Sequence, residues 1–295
     1  MSRTPPVAPD PDAGPVFDPP LGHDEWRESR DRMTALGERC LGPERAQRLV
    51  RSEVLLTHRP SKAPSPPARW RGTRLGGGPR LAPGTPWPSA EGRPLDLLAV
   101  VDCAELAEVG SREALPDDGW LNFFYDSVAD PADHAFPTPD DPVLDAAPER
   151  GWRVLYAGAD VGELAPPEGA VVHPERPVRR TYTLPWTGVE EFALGDDTEG
   201  HIADLYEEWE AIDAPLMPSV YPLQEGTPVH LLGGWPLGLQ GPVLEAPEWR
   251  LLLQLDTDEA LGWSWGDAGR LYFGITERDL AARDFGRVWV TGQSH

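Results

Sequence analysis

From His230 to Ile275 the chain reads turn, strand, acidic turn, strand without a break: HLLGGWPLGLQ, then WRLLLQLDTDE, then WSWGDAGRLYFGI. The same kinds of residue occur in the same order earlier, as GGGPRLAPGTPWP, RPLDLLAVVDCAEL and LPDDGWLNFFYD. Leu97-Leu98 then matches Leu251-Leu252, Asp102 matches Asp256, and Gly119 and Leu121 match Gly269 and Leu271. Gly78-Pro79 finds its echo in Gly234-Trp235-Pro236. Two copies of one supersecondary unit normally bury their apolar faces against each other about a pseudo-two-fold axis. The expectation is an α+β, strand-rich fold: two similar sheet-containing halves from an internal duplication, related by a pseudo-two-fold, with a few short helices.

The 35 prolines bear on the same point. Each removes a backbone donor and belongs in a loop, a first turn or a strand edge, so long regular helices are not expected. With 295 residues the chain is long enough to bury a core in one compact body. Its formal charge of −23 is unevenly spread: residues 1–80 hold 14 basic and 10 acidic groups, leaving 12 basic and 39 acidic beyond them. A body of that sign repels phosphate backbones and anionic lipid, which excludes nucleic acid and membrane as main partners and favours a basic protein partner. Cys40 and Cys103 have no metal-ligand spacing, and no apolar run approaches a membrane span. A reduced, cytoplasmic, monomeric protein without metal or cofactor is expected.

In chain order, residues 1–22 read as a disordered Pro-rich tail. Residues 23–60 read as an N-terminal helical arm: Trp26, Met33, Leu36 and Cys40 share one helical face, and Ala46, Leu49, Val50 and Val54 form a second set. After the Pro/Ser connector at 59–68 the body occupies 69–295, with repeat one at about 74–157 and repeat two at about 228–295. Strands are expected at Leu95–Val101, Trp120–Tyr125, Trp152–Tyr156 and Arg287–Gly292, a short strand at Thr181–Leu184, and a helix at His201–Asp213. Thr276 with Asp279 has the spacing of a capping box opening a short helix.

No catalytic constellation stands out. Serine lacks a nucleophile-elbow context, and Gly76-Gly77-Gly78-Pro79 lacks the Lys-Ser/Thr of a phosphate loop. The matched aspartates Asp102 and Asp256 are the exception, since two carboxyls meeting at an axis can share a proton or flank a glycosidic bond. Their flanks, Asp102-Cys103-Ala104 and Asp256-Thr257-Asp258, lack the Ser/Thr-Gly of aspartic proteases, and turn-forming or capping roles serve them equally. Gln254, polar inside a leucine run, needs a partner, either in the fold or on a ligand. His230 reads as a strand-edge hydrogen-bonder. Trp87 and Trp235, beside Pro and Gly turns, either anchor an interface, stack on sugars or plug the ends of the repeats, as do Trp263 and Trp265. The candidate binding residues are thus Trp87, Asp102, His230, Trp235, Gln240, Gln254, Asp256 and Asp267, with no catalytic and no metal-ligating residue among them.

Taken together, RLGGGPRLAPGTPWP at 74–88, PLDLLAVVDCAEL at 94–106, LPDDGWLNFFYD at 115–126, HLLGGWPLGLQ at 230–240, and WRLLLQLDTDE with WGDAGRLYFGITERDLAARDF at 249–285 resemble the YwqG-like family of bacterial proteins, a domain of unknown function. The resemblance runs from about Leu75 to the C-terminus. It implies a strand-rich α+β fold of two similar halves with no established activity. It also implies an immunity-type role, since some members are thought to neutralise a partner toxin. The family's first-repeat strand usually carries Gln where this chain has Val100, while the second repeat keeps Gln254. Two functional expectations follow: a non-enzymatic cytoplasmic binding protein, immunity-like, that engages a basic toxin-like partner; or a carboxylate-based hydrolase or carbohydrate-binding module using Asp102 and Asp256.

Overall fold

A computed structural model describes residues 23–43, 46, 53–58, 72–107, 115–128, 135–145, 150–158, 161–183, 228–241, 243–244 and 248–295. Helix α1 spans His23–Leu41 and strand β1 Glu53–His58. Four short strands follow, β2 Arg74–Leu75, β3 Arg80–Leu81, β4 Ser89–Ala90 and β5 Arg93–Pro94, before β6 Asp96–Asp102 and a one-turn helix α2 Cys103–Ala107. Then come β7 Trp120–Tyr125, β8 Trp152–Ala157, β9 Gly162–Glu163, β10 Arg176–Thr183, β11 His230–Gly233, β12 Trp249–Asp256, β13 Arg270–Thr276, α3 Glu277–Ala281 and β14 Trp289–Gln293.

Ten of these strands form one antiparallel sheet in the order β14-β13-β12-β11-β1-β10-β2-β6-β7-β8. The order reads the same way outward from its centre. On one side of the β1/β10 pair a short strand leads into three long ones, β11 then β12, β13, β14; on the other, β2 leads into β6, β7, β8. The registers agree as well. Arg74 pairs with Val100 and Leu75 with Ala99, while Leu231 pairs with Gln254 and Leu232 with Leu253. The β6/β7 ladder carries an irregularity between Leu97 and Ala99, and the β12/β13 ladder one between Leu251 and Leu253.

The long strands read as unbroken apolar runs because both faces of the sheet are covered. In β6, Leu98, Ala99 and Val101 point into the main core, while Leu97 and Val100 join a second cluster with Phe124, Leu95 and Leu81. The main core draws on both wings of the sheet, combining Leu98, Leu121 and Phe123 with Leu253, Leu271 and Phe273. The rings of Phe123 and Phe273 meet edge to face at 5.4 Å, and Trp152 Nε1 donates to the Val288 carbonyl at 2.9 Å. The sheet therefore curls until its wings close on each other.

Strands β6, β7, β8 and β14 fall where apolar runs and Asp-Gly turns place them. The capping box holds too: Thr276 Oγ1 accepts from the Asp279 backbone N–H and opens α3. In α1, Met33 and Leu36 are buried as the helical spacing requires. Residues 53–58 differ from expectation. Val54, grouped by spacing with a second amphipathic helix, lies in β1, whose six residues pair with β10 and whose first four pair with β11. A short run such as Val54-Leu55-Leu56-Thr57 fits either period, and two open strand edges decide it. The helical arm thus ends in a central strand of the body's sheet. Strand β10 is longer than the expected Thr181–Leu184. The expected tail at 1–22 and the expected helix at 201–213 lie outside the described residues. Among the described residues, no helix is long and apolar enough to cross a membrane.

Candidate functional site

Most residues singled out by sequence are engaged by the fold itself. Gln254 is fully buried; its Oε1 accepts from Leu237 N at 2.8 Å and its Nε2 donates to the Val229 carbonyl at 3.1 Å. In the other wing Asn122 does the same work: its Oδ1 accepts from Arg80 N at 2.7 Å and its Nδ2 donates to the Arg80 carbonyl at 2.9 Å. Tyr272, facing Gln254 in the ladder as Asn122 faces Val100, donates to the Leu237 carbonyl at 2.9 Å. Each wing thus ties the loop after its short strand to the sheet, and Val100 is apolar because Asn122 carries the polar groups there.

His230 is likewise consumed. Its Nδ1 accepts from the Asp256 backbone N–H at 3.2 Å, which fixes the proton on Nε2, and Nε2 donates to Asp258 Oδ2 at 3.1 Å. A ring with both nitrogens so bound has no lone pair left for general-base work. Asp256 accepts from Val229 N at 2.9 Å and Thr257 N at 3.0 Å and pairs with Arg270 at 3.2 Å. Asp102 accepts from Ala104 N at 3.1 Å at the head of α2. Trp87 donates its Nε1 to the Leu95 carbonyl at 2.8 Å and meets Phe124 edge-on, and Trp235, Trp263 and Trp265 are buried. Gln240 and Asp267 lie at the surface, and both are held through their backbones: Gln240 N donates to Gln293 Oε1 and the Asp267 carbonyl accepts from His295 N.

Asp102 and Asp256 have different neighbours. Trp265, whose Nε1 donates to the Asp256 carbonyl, packs on Tyr125, and Tyr125 pairs with Asp96 at the far end of β6 from Asp102. Six residues of strand at about 3.3 Å each separate those ends by roughly 20 Å. Asp102 instead shares its end of the sheet with Cys103, Asp118 and Arg283.

A cleft of about 530 Å³ lies elsewhere, between the Gly77-Gly78 turn and the segment 163–175. The glycine triplet is explained by that segment. Gly76 and Gly77 have φ of 64° and 78°, a side chain at Gly76 would strike the Pro174 carbonyl, and one at Gly77 would lie 2.7 Å from Glu175 Oε2. Gly77 N donates to the His173 carbonyl at 3.1 Å.

Glu163, Glu175 and His173 supply the polar side chains of the wall, and Leu164, Pro166, Val172 and Pro174 the apolar ones. Arg74, buried beside the turn, donates to the Gly78 carbonyl and pairs through Nε with Glu175 at 3.4 Å. His173 is only 5 % exposed. Its Nδ1 lies 3.1 Å from the Leu261 carbonyl, an acceptor, so Nδ1 carries the proton and Nε2 is left as a lone pair without a partner. Burial lowers its pKa, against the Leu261 carbonyl and Asp96, and keeps the ring neutral near pH 7. Behind it Trp263 is contacted edge-on by His173 at 5.8 Å and by His230 at 5.7 Å. Among the described residues no group of three or more His, Cys, Asp or Glu is placed to hold a metal ion.

Sequence reading passed over Glu163, His173 and Glu175 because residues 158–175 have no periodicity. The available signal was Gly76-Gly77-Gly78, three positions free of side chains that announce a close approach by another part of the chain. A search of curated proteins found no match. The model of a family described as a domain of unknown function, DUF1963, matches residues 73–293. With that span covering both wings of the sheet and the cleft between the turn and its facing segment, the chain belongs to the DUF1963 family.

Proposed function

We propose that this protein is a non-enzymatic, cytoplasmic binding protein of the immunity type, whose acidic body takes a basic protein partner. The carrying observation is charge: 12 basic against 39 acidic residues beyond position 80. Charge of one sign speeds encounter with the opposite sign and penalises wrong partners, while affinity comes from a few well-packed anchors. The engagement of His230, Gln254 and Asp256 by backbone groups favours binding over chemistry. A carboxylate hydrolase needs its two acids within about 10 Å, and aspartates with different neighbours, each bound by backbone N–H groups, give that alternative little support.

The same proposal includes an origin by duplication and membership of the YwqG-like branch suggested by the motifs. Matched registers, matched irregularities and the palindromic strand order favour two copies. The leading strands β1 and β10 would then be exchanged, each pairing with the short strand of the other copy.

Affinity capture with the full chain in its own cells at low salt, followed by reconstitution of the identified protein in pure form, tests the functional reading. A basic partner that binds stoichiometrically and whose harmful activity is lost in the complex supports it. An acidic partner, or turnover of a small substrate at Asp102 or Asp256, overturns it.

A further inference from the structure

His173 is bonded to both wings of the sheet. Its carbonyl accepts from Gly77 N in the turn after β2, and its Nδ1–H donates to the Leu261 carbonyl in the turn after β12, each at 3.1 Å. That second turn is closed by Asp258 and Trp263, which exchange backbone hydrogen bonds at 3.1 and 2.9 Å. Two polar atoms at the junction have no partner: His173 Nε2, a buried acceptor, and Trp263 Nε1, a buried donor. Each is costly to leave dry, and both regain hydrogen bonds when water reaches them.

Segment 172–175 runs between two anchors, Val171 N on Asp96 at 2.7 Å and Arg176 in the β10 ladder. Between them it is fastened by the two bonds of His173 and by the pair of Glu175 with Arg74. Nδ1 already carries the proton, so a second proton adds an Nε2–H: a buried positive charge whose new donor meets no acceptor. The ionisable groups on the elements around the ring are Arg74 and Glu175 beside the glycine turn, Arg176 in β10 and Asp96 in β6. On the other wing they are Asp258, Glu259 and His230. Asp96 and the Leu261 carbonyl favour a charged ring, yet burial outweighs both and lowers the pKa from 6.5. A ring that charges with difficulty in place charges readily in water.

We infer that His173 is a proton-operated latch: in acid its ring leaves the Leu261 carbonyl to take a proton in water, segment 172–175 lifts, and the cleft opens toward Trp263. The sign follows from linkage. A histidine whose folded-state pKa lies below its unfolded value adds stability that is present above about pH 6.5 and lost as pH falls below it. The latch does not depend on which partner the acidic body takes.

Hydrogen exchange of the full chain, read at single amides by NMR from pH 7.5 to 5.0 and corrected for the intrinsic rate, tests it. The Gly77 N–H, closed by His173, is expected to lose about tenfold or more of its protection. Imidazole in water is about thirtyfold more charged than neutral 1.5 units below 6.5, which sets the upper limit. A local opening exposes little surface, so Gly77 exchange should be unaffected by about 1 M urea and faster than that of the core amide Phe273. His173→Asn keeps a donor near the Nδ1 position and takes no charge; its Gly77 protection is expected to be flat with pH. His295→Gln, which removes an exposed histidine, is expected to keep the wild-type profile. In wild type, the 15N shifts of the His173 ring should keep the Nδ1–H pattern at pH 6.0, a readout that needs no variant to fold. Gly77 protection independent of pH, an equal loss in His173→Asn, Gly77 exchange that tracks Phe273 in urea, or a His173 ring that titrates in place at 6.5 overturns the latch.

Discussion

At the scale of single residues, the polar groups inside the sheet hold loops in place. Gln254→Leu keeps the volume but orphans the Leu237 N–H and the Val229 carbonyl. We expect it to cost roughly 3 kcal/mol in urea unfolding with an unchanged m-value, since a buried orphan costs about 1–3 kcal/mol. Val100→Gln, which copies Gln254 of the other wing, is expected to gain nothing, because Asn122 already holds Arg80. Cys103 is a free, buried thiol whose pKa burial, with Asp102 and Asp118 adding to it, pushes up to about 12 from 9.0. A raised folded-state pKa means stability is fully present below pH 9 and is lost as pH rises from there toward 12. Stability should therefore fall across that window, by on the order of 4 kcal/mol for a three-unit shift, and Cys103→Ala should remove that part of the slope. The check is denaturation at several alkaline pH values for both proteins.

At the scale of elements, most long strands were legible and their partners were not. Trp120–Tyr125 announces itself by an Asp-Gly turn and an aromatic run, and Thr276 with Asp279 announces α3. Val54-Leu55-Leu56-Thr57 announces nothing, because three apolar residues and a threonine serve a helix or a strand and only the β10 and β11 edges choose. The cleft was hidden for a related reason: Glu163, His173 and Glu175 belong to a segment without period, fixed by its contact with a glycine turn 85 or more residues away. The family match begins at residue 73, yet β1 at 53–58 lies between β10 and β11. A chain starting at residue 69 would expose both strand edges. We expect such a truncation to aggregate or lose several kcal/mol of stability, while one starting just before α1 folds; soluble yield and urea midpoints of the two decide. For the contact between wings, Phe123→Ala and Phe273→Ala should each cost about 3–5 kcal/mol. A double-mutant cycle should show coupling of about 0.5–1.5 kcal/mol, and additivity would mean that the 5.4 Å ring pair does not hold the wings together.

At the scale of the whole molecule, a sheet of matched wings closes on one core, and several of its ionisable groups are paired. Asp279 binds Arg287 at 3.0 Å, Asp256 binds Arg270, and Arg74 binds Glu175. Beyond residue 80 the chain holds 39 acidic against 12 basic residues, and the proposed basic partner rests on that excess. The most direct measurement is the dissociation constant of the pure complex with the captured partner at about 50 mM and 500 mM salt. The acidic body predicts a basic partner and a constant that rises about tenfold or more with salt. A tight complex indifferent to salt would contradict it.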